Sequence, residues 1–477
     1  MAVQGETIHA QPHETSGLRK NTIGAFGMTF MVIAAAAPMT AMASNLSISL
    51  ALGVGQGTVG QLIVVAALLA VFAVGFVILS RHVTNAGAYF VFIGYGLGKR
   101  TGAAAAFVAS VAYNMAAGGM IAATGYFASI TLESNLGVSV PWYVCRLVAL
   151  AITALLGIRG VSIAQKFTTG ISLIQFGIII VLGVAILIQR PEGWSLNVFS
   201  PSEAFSGNVA LTLVFCVLSF AGFEATAIYG EEAKAARRSI KVATYSSLAL
   251  LAIVFIFSTW SIVAAFDDVA AVAAEDAGTL VFRTADIYLG AWSGPLLSAV
   301  VTVSFLAAAI AFHNMAARYL FALGRSKLLP APLARTHTRF GTPHISSWIQ
   351  IAISAAMLLP FVLTQADPIV NLFPAVSGIT SLSLTSLMIG CCVSIVAARM
   401  RKKLQENAWA TLYAPILSGA GLLAIVLIII ANYQQVTGSD ALIIALMPAI
   451  PAAAAVYGAI AYRSNRTGEA LEDHLTE

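Results

Sequence analysis

The chain has 477 residues, 59% of them hydrophobic and 9% charged, and its mean hydropathy of +0.89 is more than a soluble core can hide. It reads as an all-α polytopic membrane protein. The net charge of +5 falls in loops beside the bilayer, so the lipid bilayer is the expected partner and no nucleic acid is.

Residues 1–21 are polar, without the short apolar stretch and cleavage site of a signal peptide, and read as a cytoplasmic N-terminal tail. Windows of about 20 apolar residues then give twelve spans, at 22–50, 59–79, 103–132, 141–157, 167–189, 209–230, 242–266, 289–323, 345–365, 368–398, 410–432 and 441–462. A short acidic cytoplasmic tail, 463–477, closes the chain.

The first span holds Ala36-Ala37-Pro38-Met39-Thr40 near its middle. Pro38 has no amide to donate and its ring collides with the preceding turn, so the helix breaks there and Pro38 starts a second half-helix. The amides of Met39, Thr40 and Ala41 are expected to be free at a positive helix end. Arg146 lies near the outer end of the fourth span, where snorkelling or pairing accounts for it. The sixth span carries Glu224 within Phe220-Ala221-Gly222-Phe223-Glu224. A carboxylate deep in a bilayer costs a few kcal/mol, so Glu224 must face protein or water, and Gly222 is the weak point at which this second helix breaks.

Arg19 and Lys20, Arg81, Lys99 and Arg100, Arg159 and Lys166, Lys234 to Lys241, Arg325 to Arg339, Arg399 to Lys403, and Arg463 with Arg466 all fall on one side of the twelve-span scheme. That side is expected to be cytoplasmic, with both termini on it, in the cell membrane. The other loops hold Arg190 and Arg283 among Glu192, Glu203, Asp267, Asp268, Glu275 and Asp276. Cys145, Cys216, Cys391 and Cys392 lie in spans and read as packing thiols. The histidines are scattered, with His313 alone in a span, so no metal site is expected. The phosphate-loop, H-E-x-x-H and G-x-S-x-G patterns are missing, which leaves transport or conduction rather than an enzyme.

Breaks in spans one and six are five spans apart, and matched interruptions point to inverted repeats with a site between them. The first repeat is then 22–189, the second 209–398, and 410–462 is appended as two further spans.

Phe220 to Glu224, followed by Gly230-Glu231-Glu232-Ala233-Lys234 and Arg237-Arg238-Ser239-Ile240, resembles the F-x-G-F-E…E-E-x-K-x-P-x-R-x-I-P signature of amino acid-polyamine-organocation (APC) superfamily permeases. A second stretch, from His313-Asn314 through Arg318 to Arg325, then Leu329-Pro330 and Thr342-Pro343, is similar to that family's N-x-x-x-R-x-x-x-x-x-x-R…L-P…T-P pattern. Gly87, Tyr89, Gly94, Gly96 and Gly98 resemble a third, less specific region. The likeness covers residues 20–400. It departs at Ala236 and Lys241, where the signature has proline, and at the first break, where the Gly-Ser-Gly of many amino acid members is replaced by the Ala-rich Pro38 segment. Where members often place a lysine in span five, this chain has Gln175, which cannot titrate near pH 7.

The resemblance implies a LeuT-like fold, with spans one, two, six and seven rocking against a scaffold in alternating access. An amino acid's carboxylate would meet the amides near Ala36, Ala37, Met39 and Thr40, its ammonium the carbonyls near Phe220 and Ala221, with Phe220 and Phe223 as apolar walls or gate. Glu224 has three readings: a ligand of a substrate amine, a proton carrier, or a brace for the break. In the third span Asn114, beside Tyr113, is a candidate wall residue, and Glu232 with Arg318 a candidate cytoplasmic gate. The expected function is amino acid transport by a secondary permease; a cationic amine such as a polyamine or ethanolamine is the alternative, and a channel or nutrient receptor a distant one. No cofactor is expected. Proton and sodium coupling, the identity of the small-molecule substrate and the oligomeric state stay open.

Overall fold

The computed structural model describes residues 23–83, 88–159, 161–228, 233–338, 340–363, 369, 372–437 and 446–464. The 1–21 tail, the 463–477 tail beyond 464, Gly87 and Glu232 lie outside the described residues.

The first window becomes three helical pieces: α1 (Ala25–Ala36), α2 (Pro38–Ala41) and, after a π-helical turn at Met42–Leu46, α3 (Ser47–Leu52). Next come α4 (Thr58–His82), α5 (Tyr89–Leu97), α6 (Lys99–Leu136), α7 (Trp142–Arg159), α8 (Val161–Gln189) and α9 (Pro201–Ala204). The sixth window splits into α10 (Val209–Ser219) and α11 (Ala225–Ile228), and α12 (Ala236–Ala264) follows. The chain then runs through α13 (Val269–Glu275), α14 (Leu280–Leu289), α15 (Ser293–Arg325), α16 (His344–Leu363), α17 (Phe373–Met400), α18 (Ala414–Ala431), α19 (Tyr433–Thr437) and α20 (Ala449–Ser464).

Each of the twelve windows overlaps a helix. Among the described residues, 9 helical stretches are long and apolar enough to cross a membrane, and α7 is apolar over the shorter Trp142–Ile158. The chain is a multi-pass membrane protein. Most of these helices are apolar around their circumference, so burial rather than sequence pattern tells which is central. The most apolar 18 residues within Val209–Ile228 are all buried, against 33% of those within Gly170–Gln189, which puts the broken sixth-window helix in the core and α8 partly at the rim.

Helix α6 is the longest, 38 residues, and packs against α15, α17, α7 and α20. Helix α1 lies against α12 and α8, and α4 against α12 and α18. Polar side chains lock the first- and sixth-window helices to their neighbours: Thr29 Oγ1 lies 2.9 Å from Ser246 Oγ on α12, Asn45 Nδ2 donates to Ser219 Oγ at 3.1 Å, and Thr226 Oγ1 lies 2.8 Å from Thr244 Oγ1. At the basic end of the bundle, an isolated parallel bridge joins Ile23 to Ala233, and the Lys234 amide donates to the Ile23 carbonyl at 2.7 Å. That bridge fastens the chain just before α1 to the chain after α11.

Five short helices were not anticipated from sequence: α5, α9, α13, α14 and α19. Helices α13 and α14 are short loop helices, and α5 has 9 residues, too few to register as a span. The glycines around α5 have a steric cause. A Cβ on Gly96 would stand 2.1 Å from the Ser394 carbonyl oxygen of α17, while the Gly96 amide donates to Ser394 Oγ at 3.1 Å and its carbonyl accepts from Arg401 Nη1 at 2.8 Å. Gly96→Ala is therefore expected to cost about 1–3 kcal/mol by overpacking, read as a fall in the thermal midpoint of the purified protein; an unchanged midpoint would refute the close approach.

Candidate functional site

The two helix breaks arise from different backbone chemistry. At the first, Ala37 is left-handed (φ 41°, ψ 78°), because Pro38 cannot continue the hydrogen-bond ladder of α1 and the chain must turn before α2 can begin. At the second, Gly222 takes φ 106°, a conformation that costs glycine nothing and other residues dearly.

The expectation of free amides at Met39, Thr40 and Ala41 is corrected. Thr40 and Ala41 donate to the Ala37 carbonyl at 2.9 and 3.2 Å, and Met39 donates to Gln175 Oε1 at 3.1 Å. The left-handed Ala37 swings its own carbonyl round to serve the new half-helix, and it also accepts from Thr40 Oγ1 at 2.6 Å. Gln175 does stand beside the first break, as the span-five count anticipated. Its role there is visible: it caps an amide that proline's geometry leaves over.

The second break has a matching device. Glu224 is 0% exposed, and its Oε2 accepts from the Gly222 amide at 3.0 Å while Oε1 accepts from the Tyr113 hydroxyl of α6 at 2.7 Å. A carboxylate can accept about four hydrogen bonds. Here two are made, and no cationic side chain pairs with Glu224 among the described residues. The Tyr113 ring stacks on Tyr319 with centroids 4.9 Å apart, and the hydroxyl of Tyr89 is buried without a hydrogen-bond partner among the described residues. The Ala221 carbonyl likewise takes no donor among the described residues.

Phe220 meets Phe255 of α12 edge-on at 5.4 Å, and Phe223 meets Phe72 and Phe76 of α4 at 6.1 Å each. Both rings are fully buried, so in this conformation they pack the broken helix against α4 and α12. Ala36, Ala37, Met39, Thr40, Phe220, Ala221 and Phe223 are all at most 8% exposed. The centre is closed to solvent at both breaks.

Asn114 is the candidate wall residue of the third span, and its neighbour Tyr113 is the residue that reaches Glu224. Asn114 sits one turn before Gly118, whose face abuts Met357 of α16, and its Nδ2 donates back to the Ser110 carbonyl at 2.7 Å. The signal for Tyr113 was available, since a tyrosine inside a span needs a buried acceptor. Arg318 is 5% exposed in α15, and its proposed partner Glu232 lies outside the described residues. Arg146 does not snorkel: it is 7% exposed, with Nε and Nη1 lacking partners among the described residues and its guanidinium 6.0 Å from the Trp142 ring. His313 is satisfied by Gln350 at Nδ1 and by Ser347 Oγ at 2.6 Å from Nε2.

At the end opposite the basic one lies a cavity of about 530 Å³ whose lining includes Arg190, Glu192, Glu203, Asp267 and Asp268. Arg190 pairs there with Asp267, leaving a surplus of acidic groups.

The sequence model of the family described as "Amino acid permease" matches residues 23–456. The chain is similar to the "Low-affinity putrescine importer PlaP" of Escherichia coli (strain K12), 24% identical over 255 residues, covering 52% of this chain and 55% of that protein. It is also similar to the "Methylthioribose transporter" of Bacillus subtilis (strain 168), 25% identical over 213 residues, 44% of each. The chain thus spans about half the length of the curated relatives it matches. Removing either side-chain tether of the breaks has a predictable effect: Tyr113→Phe is expected to cost about 1.5–3 kcal/mol and Gln175→Leu about 1–3 kcal/mol, seen as lowered thermal midpoints, whereas Asn114→Ala should leave Glu224-dependent behaviour intact.

Proposed function

The chain belongs to the amino acid permease family, and from that membership we propose that it is a secondary transporter of small amines, with Glu224 as the counter-charge of the substrate cation. The observation that carries this reading is a fully buried carboxylate with two hydrogen-bond donors and no cationic partner among the described residues. A buried carboxylate gains most from a partner that brings both charge and donors. An ammonium group does so, and the Ala221 carbonyl beside the break offers it a further acceptor.

Amino acids fit this geometry less well. Their carboxylate needs uncommitted amides, and those of Met39, Thr40 and Ala41 are taken up by Gln175 and Ala37. The likeness to a putrescine importer agrees with an amine substrate. The acidic cavity would raise the local concentration of a cation before it enters.

The architecture we propose for this function is twelve spans, arranged as inverted repeats 22–189 and 209–398 in a LeuT-like fold, with 410–462 appended. Both termini would be cytoplasmic in the cell membrane, following the basic loops. Helices α1 to α4 with α10 to α12 form the moving bundle in this scheme, and Glu232 with Arg318 its inner gate. Any coupling proton would sit on Glu224, because Gln175 cannot carry one.

Proteoliposome uptake of putrescine, ethanolamine, alanine and leucine tests the proposal. Saturable uptake of an amine is expected, reduced at least tenfold in Glu224→Gln, which can keep the hydrogen bond from Tyr113 but not also that from the Gly222 amide, so its thermal midpoint is measured beside the uptake. Uptake of the amino acids alone would overturn the substrate assignment. A strong proton dependence persisting in Glu224→Gln would remove Glu224 as the proton carrier.

A further inference from the structure

A second cavity, at the basic end and separate from the central breaks, has a volume of about 600 Å³ and is lined by Arg81, His82, Arg237, Arg238, Lys241 and Glu406. Arg81 and His82 end α4, the next three cations lie in the first two turns of α12, and Glu406 lies in the loop after α17. Glu406 is already engaged. Its Oε1 lies 2.5 Å from His82 Nε2; burial opposes its charge, but the His82 contact and backbone hydrogen bonds outweigh that and hold the carboxyl below its usual range. Its Oε2 takes no donor, so none of the surrounding cations bonds to it there. Arg81, Arg237, Arg238 and Lys241 make no ion pair among the described residues.

Basic residues at a membrane boundary ordinarily set orientation, and that role asks for no convergence. Here cations from two helices face one cavity, at the start of a helix that no side chain caps, where the helix dipole adds to their field. Lys241 stands where the permease signature has proline and Arg237 occupies one of its unspecified positions, so half of this charge is not part of that signature. Next to Lys241, Val242 is 46% exposed and Tyr245 is 37% exposed, an apolar strip of the kind that borders lipid.

We propose that this cavity binds a phosphate group, supplied by the headgroup of an anionic phospholipid whose chains run along Val242 and Tyr245; a soluble phosphate compound is the other source of the same chemistry. The full-length protein in detergent would be titrated with phosphatidylglycerol, phosphatidylcholine and inorganic phosphate, beside the doubly substituted Arg237→Gln, Lys241→Gln protein. Both side chains are exposed, so the variant should fold as the parent does, which its unliganded thermal midpoint checks. Phosphatidylglycerol is expected to bind the parent saturably and the variant roughly tenfold or more weakly, while phosphatidylcholine does neither. Saturable binding of inorganic phosphate alone, also weakened in the variant, would assign the cavity to a soluble phosphate. Equal binding of the two lipids, or equal affinity in parent and variant for every anionic probe, would overturn the proposal.

Discussion

A broken helix inside a membrane leaves amides and carbonyls that water cannot reach, and each must find a partner in the protein. Both breaks of this chain meet that demand with a side-chain oxygen. Gln175 Oε1 takes the Met39 amide at the first, and Glu224 Oε2 takes the Gly222 amide at the second. The two solutions differ in charge and in origin. Gln175 is neutral and comes from α8, so it ties one break to a neighbouring helix directly. Glu224 belongs to the break itself and reaches its neighbour α6 through Tyr113. The polar accounting of the centre therefore leaves one carboxyl group without a cationic partner among the described residues, and the proposed amine specificity follows from that residue of the balance.

The aromatic packing depends on the same two breaks. Phe220 and Phe223 lie in the turn that Gly222 makes possible, and from there they reach α12 and α4 on different sides. A regular helix through this segment would place positions 220 and 223 on one face. The break thus does more than expose backbone: it distributes two rings to two neighbours and holds α4, α10 and α12 together.

Much of this was legible in the sequence, and the divide between what was and what was not has physical causes. Helix existence was readable because apolar length alone decides it in lipid. The breaks were readable because Pro38 and Gly222 act on the backbone locally. What escaped depended on direction. Which residue of α6 faces Glu224 is a matter of helix rotation, about 100° per residue, which nearly uniform apolar sequence does not encode. The partners of the Met39 amide were hidden for a similar reason, since a proline announces that a ladder ends but not that Ala37 will turn left-handed and recapture Thr40 and Ala41. Short helices such as α5 fell below the length at which hydropathy speaks.

The small bridge between Ile23 and Ala233 links these local facts at a larger scale. Residues more than two hundred positions apart in the chain are joined there by backbone, and α1 and α11 each begin or end within a few residues of it. The chain entering α1 is thereby held to the chain entering α12 by backbone rather than by any side chain. Substitutions in the surrounding segment can alter side chains while leaving that backbone link in place, so the two stretches are joined by the part of the polypeptide least open to sequence drift.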